Sequence, residues 1–549
     1  MSSRVFVLGV DGAPLPLVRR WADEGHLPTF QRLLSEGAYG NLESVFPPLT
    51  APAWTSFLTG RNPGKHGVGD WYVKTPGSYR LRPVDSTQIR SSTIWNEVGE
   101  GGKKSVCLGL PMNYPLPEVD GIMVAGLESP GGGCAAFPQS VEAEVLRVAP
   151  DFRTRLREAY RPGRSEAVVQ DLLSLVDVQC QLAQHFLRTA EWDLFVLQQQ
   201  APDWAMHFFW HCMDPEHPRY TAAEARRYGD AILGVFKRID QGFAKIVESL
   251  PPDTDVIVVS DHGFGPLDKF VYLNIWLMSL GLLQLKRDPL TRVKRLLFDL
   301  GVTPSALYQF AERTGLNKFA FRAGKESRYK ILSRLFLSQD SIDWPSTKAY
   351  SVGNIGQIYV NLKGREPQGS VEPGAQYEAV RDEIMASALA WTDPDNGKSV
   401  ISRAERKENI YSGPHIDELP DVLLFPREFR YQGAGLSEFM SNRVMGHTFA
   451  FTGGHRMEGL LLAWGPHVQP RQVEGARITD IAPTILHMLG LPVPSDMDGR
   501  ALLECLDEGV SQSVERKEPA AAASASGEGY SPEEEREVAQ RLRALGYFD

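Results

Sequence analysis

The sequence has little cysteine, and none of it is paired. Five cysteines stand among 549 residues, at Cys107, Cys134, Cys180, Cys212 and Cys505, with no C-x-x-C spacing. An odd, scattered set is poor material for a disulfide framework or a thiolate zinc site, and it points to a reducing compartment. Long apolar runs are missing too. No stretch approaches the roughly 18 apolar residues that a membrane span needs, so no span is expected. Met1–Arg4 lead straight into Val5–Val10, a run too short for the core of a secretion signal and without a small-residue cleavage site. The expectation is a cytoplasmic protein. Excess positive charge is absent as well. A net charge of -10 argues against a general nucleic-acid-binding surface. A pocket for one small anion needs only a few positive groups or metals and stays open. Nothing in the pattern speaks to oligomeric state.

What is present is the composition of an ordinary water-soluble globular protein, 42% hydrophobic and 23% charged. The length exceeds what one hydrophobic core usually supports, so a large core with an insertion, or two domains, is expected. Short β-branched runs end abruptly in Asp, Gly or polar residues. Arg4–Val10 runs into Asp11-Gly12, Trp192–Leu197 through glutamines toward Asp203, and Asp255–Ser260 into Asp261-His262-Gly263. Continuous apolar runs of this length suit strands buried on both faces. Helical spacing over Leu15–Glu36, Ser165–Thr189 and Ala222–Leu250 alternates with them. The pattern predicts an α/β fold with a doubly wound, mostly parallel sheet and helices on both faces. Ligands collect beyond the carboxyl ends of such strands, where these Asp residues fall.

The chain is expected to divide into a first part of the core (1–265), an inserted cap (266–445), a second part of the core (446–508) and a tail (509–549). The first half of the insertion, Leu283–Leu337, reads as basic and helical, and a solvated face is the simpler account of its charge. In the tail, Ala520–Ser526 is low in complexity and reads as a disordered linker. A short helix, Pro532–Leu545, closes the chain, with acidic residues at its start and arginines near its end, as the helix dipole favours.

Five small motifs carry candidate chemistry. Asp203 and His207 stand four apart, on one face of a helix turn. Asp261-His262-Gly263 and Asp11-Gly12 close strands. Gly453-Gly454-His455 presents a histidine on a glycine turn, just before another apolar run. Thr50 falls in Pro47-Pro48-Leu49-Thr50-Ala51-Pro52, just ahead of a predicted helix Ala53–Thr59, whose N-terminus would favour an anion. Each alone is as much at home as a helix cap or a core histidine. Together they supply three Asp, three His and one Thr, a suitable set for two divalent cations.

These segments, VLGVDG (7–12), PPLTAPAWTSFLTGRNPGKHG (47–67), APDWAMHFFWHCMDPEHPRY (201–220), VVSDHG (258–263) and GGHRMEG (453–459), resemble the alkaline phosphatase superfamily, and within it the type I phosphodiesterase/nucleotide pyrophosphatase branch. Weaker agreement follows in GPHIDELPDVLL (413–424) and DMDGR (496–500). A bacterial group of predicted phosphohydrolases or phosphomutases is similar. The resemblance implies one metal held by Asp11, Thr50, Asp261 and His262, and a second held by Asp203, His207 and His455. It implies Thr50 as nucleophile, a phosphothreonine intermediate, and a small-molecule phosphate ester as substrate, with a phosphodiester ahead of a phosphomonoester. Asp and His ligands suit Zn²⁺, and Mn²⁺ stays open. One departure stands out. The branch has an Asn three residues after the nucleophile to hold a phosphate oxygen, and this chain has Ala53. Backbone amides of the Ala53 helix, or Asn113, are the candidates to replace it. Trp54 reads as a core aromatic ahead of a base-stacking platform. The sulfatase nucleophile motif is missing. A phosphomutase with the same centre, and a scaffold that has lost catalysis, are the alternatives.

Overall fold

A computed structural model of the chain describes residues 4–157, 160–161, 163–307, 335–433, 435, 439–448, 451–507, 510, 513–519 and 529–544. The apolar runs form the centre of a ten-stranded sheet. Its strands are β1 (Arg4–Val10), β2 (Ala38–Glu43), β3 (Ser105–Leu108), β4 (Gly121–Val124), β5 (Ala136–Phe137), β6 (Leu194–Gln199) and β7 (Thr254–Val259). After β8 (Gly263–Pro266) and β9 (Gly453–Arg456), which pair antiparallel from the two ends of a long excursion, come β10 (Glu458–Trp464), β11 (Arg471–Gln472) and β12 (Ala476–Arg477). The order across the sheet is β11-β2-β10-β7-β1-β6-β3-β4-β5, with β12 also beside β2. The central strands β7, β1, β6, β3 and β4 run parallel, and β10 and β5 are antiparallel neighbours. This is the expected α/β class, and its physical cause is plain. β1, β6 and β7 are apolar along most of their length because helices cover both faces.

Four further helices matter below: α1 (Thr50–Thr59), α2 (Ser165–Thr189), α3 (Ala201–Met213) and α4 (Ala231–Ser249). Helix α2 has the predicted bounds. Leu15–Glu36 is instead two helices, Leu15–Asp23 and Pro28–Glu36. The break follows from Gly25 at φ 78° and from Pro28, which starts the second helix where a missing N–H costs nothing. Ala222–Leu250 likewise divides at Gly229-Asp230. Thr50 was expected just ahead of its helix, but it is the first helical residue. Leu49 occupies the cap position and no side chain caps the turn.

Between β8 and β9 the chain makes a long excursion. Lys269–Val271 leaves beside Met445–His447 and Tyr431–Gly433 in a three-stranded sheet. Ala349–Tyr350, Gln357–Val360, Val422–Pro426 and Ile401–Arg406 form a four-stranded one. Its apolar face meets the loop before Thr50. Phe46 and Leu49 pack with Ile355, Tyr411, Leu419, Leu423 and Phe425, and Tyr411 Oη donates to Phe46 O at 2.8 Å. Helix α5 (Pro289–Asp299) falls within the predicted basic helical half; residues 308–334 lie outside the described set. So do residues 520–528, on which the linker expectation falls. The closing helix, α6 (Pro532–Ala544), docks on the core. Val538 and Leu542 are buried, and Arg541 donates to Leu127 O and Ser129 O.

Helix α1 approaches the sheet at Gly9. A Cβ added there would meet Trp54 Cη2 at 2.7 Å, so only glycine lets the tryptophan lie against β1. We predict that Gly9→Ala displaces Trp54 and costs about 1–3 kcal/mol through overpacking. Urea denaturation of the variant measures it, and a midpoint equal to wild type would show that α1 shifts without penalty.

Candidate metal centre

Strands β7, β1 and β6 lie side by side and parallel, so their carboxyl ends deliver side chains to one place. Asp11 follows β1, and Asp261 and His262 follow β7. Strand β6 runs through Gln200 into α3, whose first turn carries Asp203 and whose next turn carries His207. His455 arrives on β9, opposite Phe264 in the antiparallel pair. Gly263 permits that pair's tight entry, because a Cβ there would sit 1.9 Å from Glu458 O. Asp11, Thr50, Asp203, Asp261 and His262 have no exposed surface, and His207 and His455 are 5% exposed.

The side chains form two touching clusters. His207 Nε2 and His455 Nε2 are 3.0 Å apart, and Asp203 Oδ1 lies 3.4 Å from the first and 3.2 Å from the second. His262 Nε2 is 3.2 Å from Asp261 Oδ2 and 3.7 Å from Asp11 Oδ1. His262 also stacks on His455 with ring centres 3.7 Å apart. Ligand atoms of Asp11, Asp261 and His262 lie within 4.8 Å of one another, and so do those of Asp203, His262 and His455. His262 therefore stands between the clusters, where the resemblance assigned it to one. Thr50 enters from α1. Pro48 O, two residues before it, accepts from His455 Nδ1 at 2.7 Å, and Trp54 Nε1, one turn after it, donates to Asp11 Oδ2 at 3.1 Å.

The hydrogen bonds fix the protons. Nδ1 of His207, His455 and His262 each faces a backbone carbonyl, of Gly453, Pro48 and Gly263, at 2.9, 2.7 and 3.1 Å. A carbonyl only accepts, so each Nδ1 carries the proton and each Nε2 presents a lone pair inward. Two lone pairs at 3.0 Å repel unless a cation lies between or beside them. The carboxylates tell the same story. Burial, with the charges of Asp261 and Asp203, pushes Asp11 well above the usual carboxylate range. Burial, with Asp203, does the same to Asp261. Burial also opposes charge on Asp203, and the attraction of His207, His455 and His262 that draws it below that range acts only when those rings are protonated. Burial drives His207 down to about 4 and His262 far down. Finally, Asp11 Oδ1, Thr50 Oγ1, Asp261 Oδ2 and His262 Nε2 are buried and make no hydrogen bond among the described residues. Buried acceptors without donors are costly. Bound cations would remove every one of these penalties, so the side chains fit divalent metal. An all-oxygen-and-nitrogen donor set suits Zn²⁺ or Mn²⁺.

The supporting groups were harder to see in the sequence. Gln198 Nε2 donates to Asp11 Oδ2 at 2.8 Å, and Gly12 N to Asp261 Oδ1 at 3.1 Å. Arg456 ties the β8–β9 pair down, donating to Phe429 O, Gly454 O and Pro266 O. Trp54 is fully buried, which excludes it as a base-stacking platform. Its four-residue spacing from Thr50 was the one available signal. Asn113, one candidate for the missing phosphate contact, is otherwise engaged, and so is the N–H of Ala53 itself. Ala53 N donates to Leu49 O within the helix. Asn113 Nδ2 donates to Leu110 O, while its Oδ1 accepts from Trp95 Nε1 at 2.9 Å. Asn113 thus braces the loop after β3, which leaves the first amides of α1 as the candidate donors. The weaker motif at 496–500 is also structural: Asp496 and Asp498 hold Arg61 and Lys65 beyond α1.

The family model for type I phosphodiesterase / nucleotide pyrophosphatase matches residues 5–432. Phosphonoacetate hydrolase from Sinorhizobium meliloti 1021, solved with phosphonoformate, is 14% identical over 89% of this chain and 96% of its own, with a TM-score of 0.51. Human ectonucleotide pyrophosphatase / phosphodiesterase 5 is 13% identical over 91% of this chain and 98% of its own, with a TM-score of 0.47. A 47-residue stretch is 55% identical to the 2,3-bisphosphoglycerate-independent phosphoglycerate mutase of Gloeobacter violaceus, covering 8% of each chain. The fold is that of the alkaline phosphatase superfamily. Within it, the chain belongs to the type I phosphodiesterase/nucleotide pyrophosphatase family, a family of phosphoester-hydrolysing enzymes.

Two predictions follow from the buried charge. Trp54→Phe keeps the ring but removes the N–H on Asp11, and should weaken metal binding about 10–100-fold in competition with a chelating dye; equal affinity would contradict the role. In the metal-free protein Asp11 and Asp261 have folded pKa values above the unfolded value of about 3.9. The unfolded chain releases those protons first, so this contribution to stability is lost as pH rises above about 4. Cations favour the ionised carboxylates instead. The melting-temperature gap between metal-loaded and chelated protein should widen from about pH 5 to about pH 8. A gap that stays constant or narrows would refute the linkage.

Proposed function

We propose that the chain is a two-metal phosphoester hydrolase that acts on small phosphodiesters through Thr50. The observation that carries this reading is the buried Thr50 Oγ1, which has no hydrogen-bond partner among the described residues and stands at the first turn of α1. Asp11, Thr50, Asp261 and His262 would hold one cation, and Asp203, His207 and His455 the other, with His262 within reach of both. When bound, such cations supply positive charge against the phosphate and lower the pKa of a hydroxyl beside them.

The chain's own groups do the rest. Gln198 and Trp54 hold Asp11, and Pro48 O and Gly453 O orient His455 and His207, so the donors stay fixed through turnover. Helix α1 directs its N-terminal amides and dipole toward an incoming anion. Thr50 Oγ1 gives up its proton to solvent and attacks phosphorus in line. The new bond joins Oγ1 to phosphorus as the bond to the leaving alcohol breaks, and the alcohol departs protonated. Water then attacks the same phosphorus, the bond from phosphorus to Oγ1 breaks, and a phosphomonoester leaves as a proton from the water restores the Thr50 hydroxyl. The four-stranded sheet of the excursion between β8 and β9 would set substrate choice, because the apolar cluster on it holds Leu49, the residue before Thr50.

One further reading has its own support. The short stretch shared with a phosphoglycerate mutase favours return of the phosphoryl group from Thr50 to a second hydroxyl instead of to water. Bis-p-nitrophenyl phosphate and p-nitrophenyl phosphate, each with and without added Zn²⁺ or Mn²⁺, separate these readings. The expected result is faster turnover of the diester, reduced by about 10³-fold or more in Thr50→Ala. Persistent turnover in Thr50→Ala would exclude the nucleophile, and phosphoryl transfer to an added alcohol in preference to water would favour the mutase.

A further inference from the structure

Helix α5 (Pro289–Asp299) is turned the unexpected way round. Its buried face carries Thr291, Lys294 and Phe298, while Leu290, Val293, Leu296 and, at the cap, Leu300 are 61, 56, 60 and 71% exposed. Spacings of three, three and four residues put these four on one stripe. The sequence suggested a solvated basic face; Lys286, Arg287 and Arg292 are exposed, but an aliphatic stripe is exposed beside them. A contiguous exposed stripe of this kind marks an interaction surface, whereas isolated exposed aliphatics are ordinary.

Cations flank the stripe. An open pocket of about 410 Å³ beside the helix is lined in part by Lys286, Arg287, Arg292 and Arg295. Arg295 is paired with Asp299, and Lys286 Nζ donates to Asp340 O at 2.7 Å. Arg287 and Arg292 are exposed and have no carboxylate partner among the described residues. Guanidinium groups beside an aliphatic stripe match a layered partner, with phosphates lying directly over hydrocarbon.

We propose that this corner docks on an anionic phospholipid surface, with Leu290, Val293, Leu296 and Leu300 entering between headgroups and the pocket taking a lipid phosphate. The surface is separate from the metal centre and stands whether or not the hydrolase reading does. Sedimentation of the full chain with vesicles tests it, using phosphatidylcholine alone and phosphatidylcholine with roughly one third phosphatidylserine. The wild type should sediment with the anionic vesicles only, and less so at roughly 0.5 M salt. Leu290→Ser/Leu296→Ser and Arg287→Glu/Arg292→Glu should each lower vesicle affinity about tenfold or more. Neither pair should change turnover of soluble bis-p-nitrophenyl phosphate, so loss of vesicle binding is read independently of catalysis. Wild type that stays in solution with anionic vesicles, or variants that bind equally well, would overturn the proposal. So would a wild-type dimer that the serine pair converts to monomer, since a second copy would then cover the stripe.

Discussion

The structure depends on one constraint, the burial of like charge and lone pairs where β7, β1 and β6 end. Three carboxylates and three imidazoles are packed where water cannot screen them, and the imidazole protons all point outward to backbone carbonyls. Such an arrangement is unstable unless positive charge is supplied from outside the protein. The surrounding fold holds that arrangement in place against its own repulsion. Gly9 lets Trp54 lie close enough to reach Asp11, Gln198 reaches the same oxygen from the next strand, and Arg456 fastens the strand pair that carries His455. Rigidity of this kind places ligands before a metal arrives, so little reorganisation is needed on binding.

Much of the framework was legible because parallel strands buried on both faces have a distinctive sequence. The apolar runs at Arg4–Val10 and Thr254–Val259 stop abruptly at Asp11 and Asp261, and that stop marks the strand end and the site together. The i, i+4 spacing of Asp203 and His207 showed their helix in the same way. Glycine-bounded His455 was visible as a candidate, but its partner Phe264 on the paired strand was not, since pairing over almost two hundred residues leaves no local trace.

What sequence did not show depended on tertiary context. Asn113 has the chemistry of a phosphate contact, yet its amide is spent on Leu110 O and Trp95 because the loop after β3 folds around it. Thr50 was placed ahead of a helix expected to begin only at Ala53, since a helix that begins without a side-chain cap gives no start signal. The run Leu15–Glu36 kept helical periodicity through a break made by Gly25 and Pro28. Periodicity also cannot say which face of α5 is inward, and there Lys294 is buried while Leu296 is exposed. The insertion's grip on Leu49 joins residues far apart in the chain and was likewise invisible.

The central claim, that cations compensate this buried cluster, is tested most directly by the metal content of the purified chain. Elemental analysis of the wild type beside Asp261→Ala and His455→Ala should give about two divalent ions per chain, falling toward about one in each variant. Catalytically competent protein with no bound metal, or the same stoichiometry in both variants as in wild type, would contradict the account.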